Sequence, residues 1–345
     1  MDEKTTKILI VRLSALGDTI HTIPAVKALR EVFRNSRIDW IVEEKASYPL
    51  INNPLVDNLY IIRKKGKPGF YEEFFALIKK IRAEKYDIAI DMQQLFKSAS
   101  IMFLSGAKRK VSLDGGREFS GLFANEIIKT GTKQFDINRH VVERNLDVAR
   151  YFGAKNPLPE FILPGVSPET VTKINNLLAD CDPLKKTLII APETTWAAKH
   201  APDDFWRNLT DFALKKNCNV VYSGVNPDVF ARIFPENPGI VNLCGKTSVT
   251  DLFELFGHAD ILVTPDSGSA HVAWACGKCK IISLFFATSA SRTAPYGSSM
   301  YASVSSKSAC APCMKKKCRF SGSRKNSCVD NFSEKEVFDF FEKML

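Results

Sequence analysis

Short apolar runs alternate with amphipathic stretches along most of this chain. Ile8 to Val11 is an unbroken aliphatic run, which is typical of a strand buried on both faces of a parallel sheet. After Ile20, apolar residues recur at helical spacing as far as Val32. The pattern therefore predicts a strand, a loop over residues 12–18 and a helix.

The same alternation recurs in both halves of the sequence. Further strands are predicted at residues 38–42, 58–62, 87–91, 187–191, 220–223, 240–243, 261–264 and 280–284. Helices are predicted near residues 71–82, 140–152 and 168–178, and from Asp203. Strands that alternate with helices indicate parallel sheets with right-handed crossovers.

Closely spaced prolines between Pro157 and Pro168 indicate a linker between two such units. We therefore predict an α/β protein of two Rossmann-like, doubly wound domains facing across a cleft. The domains are assigned to residues 1–165 and 180–330. A last helix, residues 333–345, has one apolar stripe and could pack back on the first domain.

Length and charge limit the functional classes. The 345 residues are 45% hydrophobic, which is enough for two cores. Charged residues begin the chain and no apolar run approaches a membrane span, so we expect a soluble, cytoplasmic protein. The net charge of +10 favours an anionic partner, which could be nucleic acid, an acidic membrane or a phosphorylated substrate.

Polar residues follow two strands of the first half. The loop with Asp18 has neither GxGxxG nor a GxxxxGK[ST] phosphate loop, so a dinucleotide dehydrogenase or an ATPase is not expected. Asp18 could cap the next helix or accept a proton from a substrate hydroxyl. Asp91, Lys97 and Arg117 fall on the same predicted ligand edge, although spacing alone favours a helix cap and surface charges for them.

In the second half, two strand-to-helix loops could hold phosphate groups. Thr194, Thr195 and Lys199 precede the helix that starts at Asp203. Asp266 to Gly268 opens a helix that carries His271. Backbone amides at such a helix start attract anions, but Asp266 could equally serve only as its cap.

Nine cysteines in a chain without a signal peptide argue against a disulfide framework. Four of them, Cys310, Cys313, Cys318 and Cys328, lie within nineteen residues. They could bind a structural zinc ion, stay free or form a facultative disulfide.

Four motifs, taken together and in this order, resemble the glycosyltransferase family 9 heptosyltransferases of lipopolysaccharide core synthesis. They are RLSALGDTIHTIP (12–24), TTWAAKHAP (194–202), PDSGSAHVAWA (265–275) and SLFFATS with APYG (283–297). The resemblance implies a GT-B fold and an inverting, metal-independent enzyme without a cofactor. It implies ADP-heptose as donor and a Kdo-lipid A acceptor at the inner membrane's cytoplasmic face.

The resemblance also assigns roles to residues. Asp18 matches the general base, and Lys199 a second catalytic group that also binds the donor diphosphate. The other donor contacts would be Thr194, Thr195, Asp228, Asp266, Ser267, Gly268 and His271. The acceptor contacts would be Asp91, Lys97 and Arg117, which favour a heptosyltransferase I-like enzyme.

Three alternatives stay open at this point. The chain could be a heptosyltransferase II-like enzyme or a family member that uses another sugar or acceptor. It could also be a non-enzymatic module that binds polyanions or a membrane surface, as its charge allows. We expect no nucleic-acid partner, because charge does not account for the ordered motifs.

Overall fold

The computed structural model describes residues 5–63, 69–133, 136–234 and 240–345. The chain divides into two compact units, Met1–Gly165 and Val166–Leu345. Both contain a parallel sheet flanked by helices, so the predicted α/β class with two Rossmann-like domains is confirmed.

The described residues of the first unit form six strands and five α-helices. In chain order they are β1 (Thr6–Val11), α1 (Leu16–Ile20), α2 (Ile23–Val32), β2 (Ser36–Glu43), β3 (Asn58–Ile62), α3 (Phe70–Ala83), β4 (Ile88–Asp91), α4 (Phe96–Leu104), β5 (Arg109–Leu113), β6 (Glu126–Ile128) and α5 (Val141–Tyr151). The strands lie in the order β3-β2-β1-β4-β5-β6 and all pair in parallel.

The second unit repeats this plan. Its elements are α6 (Pro168–Leu177), β7 (Thr187–Ile190), α7 (Asp203–Lys215), β8 (Asn219–Tyr222), α8 (Pro227–Ile233), β9 (Val241–Asn242), α9 (Asp251–Leu255), β10 (Ile261–Pro265), α10 (Gly268–Cys276), β11 (Lys280–Phe285), α11 (Ala290–Thr293), β12 (Tyr301–Ser305), α12 (Ser327–Asp330) and α13 (Glu334–Met344). The strand order is β12-β11-β10-β7-β8-β9, again all parallel.

In each sheet there is one point at which the strand order reverses, so that successive strands are added on opposite sides of it. In the first unit this switch lies between β1 and β4, and in the second between β7 and β10. Open α/β sheets bind ligands at the carboxyl ends of the strands beside such a switch. Asp18 follows β1 and Asp91 is the last residue of β4, while Lys199 follows β7 and Asp266 follows β10. The predicted ligand edges therefore coincide with the switch points of the two sheets.

The C-terminal helix α13 packs on the second unit, so the prediction that it packs on the first is wrong. Val337, Phe341 and Met344 belong to the apolar core of the second unit. The rings of Phe338 and Phe212 stack with centroids 4.7 Å apart. The sequence shows the apolar stripe of α13 but not the element that it packs on. In the fold, α7 covers this stripe with apolar side chains of its own, among them Phe212.

No helix among the described residues combines the length and apolar character needed to cross a bilayer.

Candidate active site

Asp18 lies just beyond the carboxyl end of β1, in the first half of α1. One carboxylate oxygen accepts a hydrogen bond from the Ala15 backbone N–H at 3.0 Å. The other pairs with the Arg12 guanidinium, with Nη2 and Oδ1 separated by 2.8 Å. The Asp18 side chain is 40% exposed, whereas that of Arg12 is 8% exposed. A solvent-accessible carboxylate is thus held in place by a buried cation, and its capping bond leaves lone pairs for a substrate proton.

Arg12 was not singled out in the sequence, yet it organises this edge. Its guanidinium also donates to the carbonyl oxygen of Met92. Its own carbonyl accepts from the indole N–H of Trp40 at 3.1 Å. The sequence does place a single arginine directly after an aliphatic strand. A charged side chain buried at such a position needs hydrogen-bond or ion-pair partners, and this was the signal that could have identified Arg12.

The loop after β4 is tied to the loop after β1. The Gln93 side-chain oxygen accepts from the Leu13 N–H at 2.7 Å and from the Ser14 N–H at 3.3 Å. Val11 is the register partner of Asp91 in the parallel β1–β4 pair. The two predicted polar loops therefore meet at one edge of the sheet.

Asp91 itself is completely buried. Its Oδ1 accepts from the backbone N–H groups of Gln93 and Gln94, each at 2.9 Å. This geometry gives Asp91 a structural role in shaping the loop and leaves no exposed surface for an acceptor. Burial raises its pKa to about 6, against the opposing effect of the hydrogen bonds and of Arg12.

We expect Asp91→Asn to stabilise the first unit in a pH-dependent manner. The carboxyl pKa is 3.8 in model compounds and about 6 in the fold, so the folded state resists ionisation. Stability of the wild type should therefore fall between about pH 4 and pH 6 relative to the variant, whose amide oxygen keeps both hydrogen bonds. The difference should reach about 2 to 3 kcal/mol above pH 6 and vanish below pH 4. Urea unfolding at several pH values measures it, and a pH-independent difference would contradict the burial argument.

Lys97 and Arg117 flank the same edge. The Lys97 ammonium is half-exposed and pairs with Glu43, with Nζ and Oε1 at 2.5 Å. The backbone N–H of Arg117 donates to the Gln94 carbonyl at 3.1 Å, which attaches its exposed turn to the β4 loop. The structure thus brings Asp91, Lys97 and Arg117 to one edge, with the two cations at the surface.

In the second unit, Lys199 and Asp266 form a buried ion pair. Lys199 Nζ lies 2.6 Å from Asp266 Oδ2 and 3.0 Å from the Asp266 carbonyl oxygen. Only 13% of the lysine side chain and 4% of the aspartate side chain are exposed. Lys199 also lies over the Trp196 ring, 4.7 Å from its centroid. An ammonium group has three donors, so one of them stays directed away from Asp266 for a ligand.

Asp266 has further partners. His271 Nε2 lies 3.5 Å from Oδ1, and the Thr293 hydroxyl donates to the same oxygen at 3.2 Å. Burial acts to raise the pKa of Asp266, but Lys199 and His271 outweigh it, so the pKa is lowered. The alternative that Asp266 is only a helix cap is wrong, because Ser267 occupies the N-cap of α10.

The start of α10 provides a second anion-attracting feature beside this pair. The chain enters the helix at Ser267, whose hydroxyl is 3.0 Å from that of Thr264. The N–H groups of the first turn, from Gly268 onward, have no carbonyl of a preceding turn to bind. With Lys199 nearby, the switch point of the second sheet presents positive charge and amide donors together.

The remaining predicted donor residues are more exposed. The carbonyl of Thr194 is 2.9 Å from the His200 ring nitrogen, and Thr195 lies at the surface before Lys199. Asp228 is exposed in a different loop, in the first turn of α8, which Asn226 caps.

Glu193, which sequence reasoning missed, joins the β7 loop to the β8 loop. Its carboxylate accepts from the N–H of Asn226 at 3.0 Å and from that of Val225. A Cβ atom at Gly224 would lie 2.6 Å from Glu193 Oε2, so a larger residue there would displace the Glu193 carboxylate. The signal that could have identified Glu193 is a carboxylate three residues after a buried strand.

The four clustered cysteines carry free thiols. Cys318 Sγ accepts from the Asn326 N–H at 3.3 Å, and Cys310 Sγ lies 3.4 Å from the Ser308 hydroxyl. Across the part of the chain that the structure describes, no three His, Cys, Asp or Glu side chains are grouped as metal ligands. Burial raises the pKa of the Cys328 thiol, and Cys310, Cys313 and Cys318 add to this effect, so the four sulfur atoms lie within electrostatic reach of one another without forming a metal site in this conformation.

The comparison with family models decides the classification. The model for glycosyltransferase family 9 (heptosyltransferase) matches residues 74–323. The chain belongs to glycosyltransferase family 9. The resemblance inferred from the four motifs is thus confirmed, and the protein is a glycosyltransferase of the heptosyltransferase family.

Relatives with curated names agree with this family assignment. Lipopolysaccharide core heptosyltransferase OpsX of Haemophilus influenzae is 27% identical, over 85% of this chain and 83% of its own length. Lipopolysaccharide heptosyltransferase 1 of Pseudomonas aeruginosa is 27% identical, over 91% and 88%. The solved structure of Escherichia coli heptosyltransferase WaaC with ADP superposes with a TM-score of 0.73 at 21% identity, over 99% of this chain and 100% of that chain. The family fold, GT-B, is therefore the fold of this chain.

Proposed function

We propose that this family 9 enzyme transfers heptose from ADP-L-glycero-D-manno-heptose to the Kdo residue of a lipid A inner core. The observations that carry the proposal are two sheet-edge sites, one in each unit. One offers a fixed, accessible carboxylate, Asp18, and the other a lysine with a helix start, Lys199 and α10. A sugar diphosphate requires such a cationic, amide-rich site, and an attacking hydroxyl requires a proton acceptor.

The proposed reaction is a single displacement that inverts the anomeric centre. The acceptor hydroxyl attacks the anomeric carbon as its proton passes to Asp18, and the bond to the diphosphate breaks. Arg12 pairs with the Asp18 carboxylate and orients it for this step. Because negative charge grows on the departing diphosphate, Lys199 and the amides of α10 bind the transition state more tightly than the ground state.

No step of this reaction needs a metal ion or an organic cofactor. Lys199 supplies the positive charge on the leaving group, with Asp266 and His271 holding it in position. The proposal therefore includes transfer that is unaffected by EDTA and a product whose anomeric configuration is opposite to that of the donor.

Donor and acceptor are proposed from different observations. The WaaC structure was determined with ADP, which supports an ADP-linked donor here. Lys97 and Arg117 are surface cations at the edge of the first sheet and suit the carboxylate or phosphate groups of an anionic acceptor. Such an acceptor implies a cytoplasmic enzyme working peripherally at the inner membrane.

A panel assay tests the substrates. ADP- and UDP-linked heptose and hexose donors are incubated with Kdo-lipid A and with an acceptor that already carries one heptose. Transfer should be fastest from ADP-heptose to Kdo-lipid A. Preference for the heptosylated acceptor would identify a heptosyltransferase II-like enzyme, and preference for another donor would overturn the sugar assignment.

We expect ADP to stabilise the protein against unfolding. Ligand that binds only the folded state should add about 2.7 kcal/mol at one hundred times its dissociation constant. Thermal unfolding with ADP, UDP and inorganic pyrophosphate measures this, and ADP should give the largest shift. A module that binds polyanions only would be retained on heparin yet show no greater stabilisation by ADP than by pyrophosphate.

A further inference from the structure

The first unit exposes four large apolar side chains beside its ligand edge. Phe96 and Phe103 on α4, and Phe119 and Leu122 in the turn after β5, are between 53% and 83% exposed. We call these four residues the apolar patch. Single exposed apolar residues are common on soluble proteins, but contiguous groups mark interaction surfaces.

The patch is contiguous rather than scattered. Phe96 and Phe103 are seven residues apart, so they lie on the same outward face of α4. The Phe123 ring lies between α4 and the turn, with its centroid 5.4 Å from that of Phe96 and 5.9 Å from that of Phe103. α4 also contacts the short helical turn Ser120–Phe123 directly. The four exposed side chains therefore lie on two elements that pack directly against each other.

The backbone holds Phe119 outward in an unfavourable conformation. Glu118 and Phe119 have φ angles of +55° and +58°, the left-handed region that residues with a Cβ atom rarely adopt. A turn selected for stability alone would place glycine there. The arrangement is fixed by the Arg117 N–H bond to Gln94 and by the Glu118 carboxylate, which accepts from the Phe96 N–H at 3.2 Å. Strain kept at an exposed aromatic residue indicates a function for that exposure.

Two basic residues lie beside this exposed apolar surface. Lys97 is adjacent to Phe96, and Arg117 is two residues before Phe119. Residues 1–165 contain 27 lysine and arginine residues against 20 aspartate and glutamate residues, so this unit carries most of the excess positive charge. Aromatic side chains with flanking cations suit the interface of an anionic bilayer, where rings enter the headgroup region and cations meet phosphates.

We propose that the apolar patch is the surface with which this enzyme docks on an anionic phospholipid bilayer. The inference rests on the proposed lipid acceptor in one respect, namely that Lys97 and Arg117, the predicted acceptor contacts, border the patch. Docking there brings the edge of the first sheet to the membrane surface, where a lipid-linked sugar is presented. A second copy of the chain is a poorer occupant, because a two-fold contact would place like-charged basic borders against each other.

Vesicle sedimentation of the full chain tests the proposal. The probes are vesicles of phosphatidylglycerol with phosphatidylethanolamine, and vesicles of phosphatidylcholine alone. The wild type should bind the anionic vesicles more tightly. The variant F119S/L122S should bind them at least tenfold more weakly, and it should fold normally because both side chains are solvent-exposed.

A matched control comes from the second unit. Leu184 and Val225 are as exposed as Phe119 and Leu122, so L184S/V225S removes a similar apolar surface elsewhere. This variant should bind anionic vesicles like the wild type. Equal losses in both double variants, or no loss in F119S/L122S, would overturn the proposal. The proposal would also fail if the wild type were a dimer and F119S/L122S made it a monomer without changing vesicle binding. The patch would then join two copies of the chain.

Transfer assays separate this inference from the proposed function. F119S/L122S should transfer heptose to a soluble, deacylated Kdo acceptor at the wild-type rate, but at least tenfold more slowly to acceptor embedded in vesicles. If vesicle binding depends on the patch while the wild type transfers to neither acceptor, the docking surface stands and the proposed substrate fails. If transfer to embedded acceptor is equal in both proteins, the docking surface fails and the proposed reaction stands.

Discussion

Asp18→Ala should lower kcat by about two to four powers of ten, with the dissociation constant of the donor little changed. This is the usual contribution of a positioned general base. Asp18 is exposed enough to meet a hydroxyl, and its ion pair with Arg12 at 2.8 Å holds the carboxylate in position. Steady-state kinetics with Kdo-lipid A, together with ADP titration by calorimetry, measures the two quantities.

Asp18→Asn tests the role of Asp18 as a base more specifically than Asp18→Ala does. Its side-chain oxygen can still accept the Ala15 hydrogen bond, so the start of α1 should stay intact while basicity is lost. Both variants should show the same ADP-dependent thermal shift as the wild type. Turnover within tenfold of the wild type in Asp18→Asn would remove the base role from this residue.

Lys199→Ala should cost both activity and stability. Loss of a preorganised charge on the leaving group typically lowers kcat by about 10² to 10³. The substitution also leaves Asp266 buried without its main counterion, since the pair is nearly closed to solvent. Breaking one partner of a buried pair destabilises by about 3 to 5 kcal/mol. Kinetics and urea unfolding measure the two effects.

Two further variants separate the effects of Lys199. Lys186 forms an exposed pair with Asp260 in the same unit, with Nζ and Oδ1 at 2.7 Å, so Lys186→Ala should change the stability far less than Lys199→Ala and leave kcat unchanged. The double variant K199A/D266N removes the uncompensated charge and should recover most of the lost stability but none of the activity. Recovery of activity in the double variant would show that Lys199 acts only by neutralising Asp266.

The central strands were predictable because both of their faces are buried. β1 contains four consecutive aliphatic residues and β10 contains three, and the structure buries all of them. Strands at the edges of the two sheets have fewer consecutive apolar residues. β12, with the sequence YASVS, alternates small polar and apolar residues, and β6 is only three residues long. Neither contains an apolar run, so periodicity did not identify them.

The candidate site was predictable in its position but not in its contacts. Asp18 and Asp266 follow strands, and the parallel topology places both at switch points. The partners of these carboxylates were not predictable, because Lys199 is 67 residues from Asp266 and no local pattern joins them. The burial of Asp91 was equally hidden, since a polar residue after a strand can face either the loop or the solvent.

The sequence by itself determined two α/β units, their strand-to-helix loops and the motifs that identify the family, because each depends on residues that are neighbours in the chain. Tertiary structure decided that Arg12 holds Asp18, that Asp91 shapes a loop and that α13 covers the second core. It also decided that α4 packs against the turn after β5 and that these two elements expose four large apolar side chains. These outcomes depend on which distant groups meet and exclude water, and packing fixes that only when the whole sheet has formed.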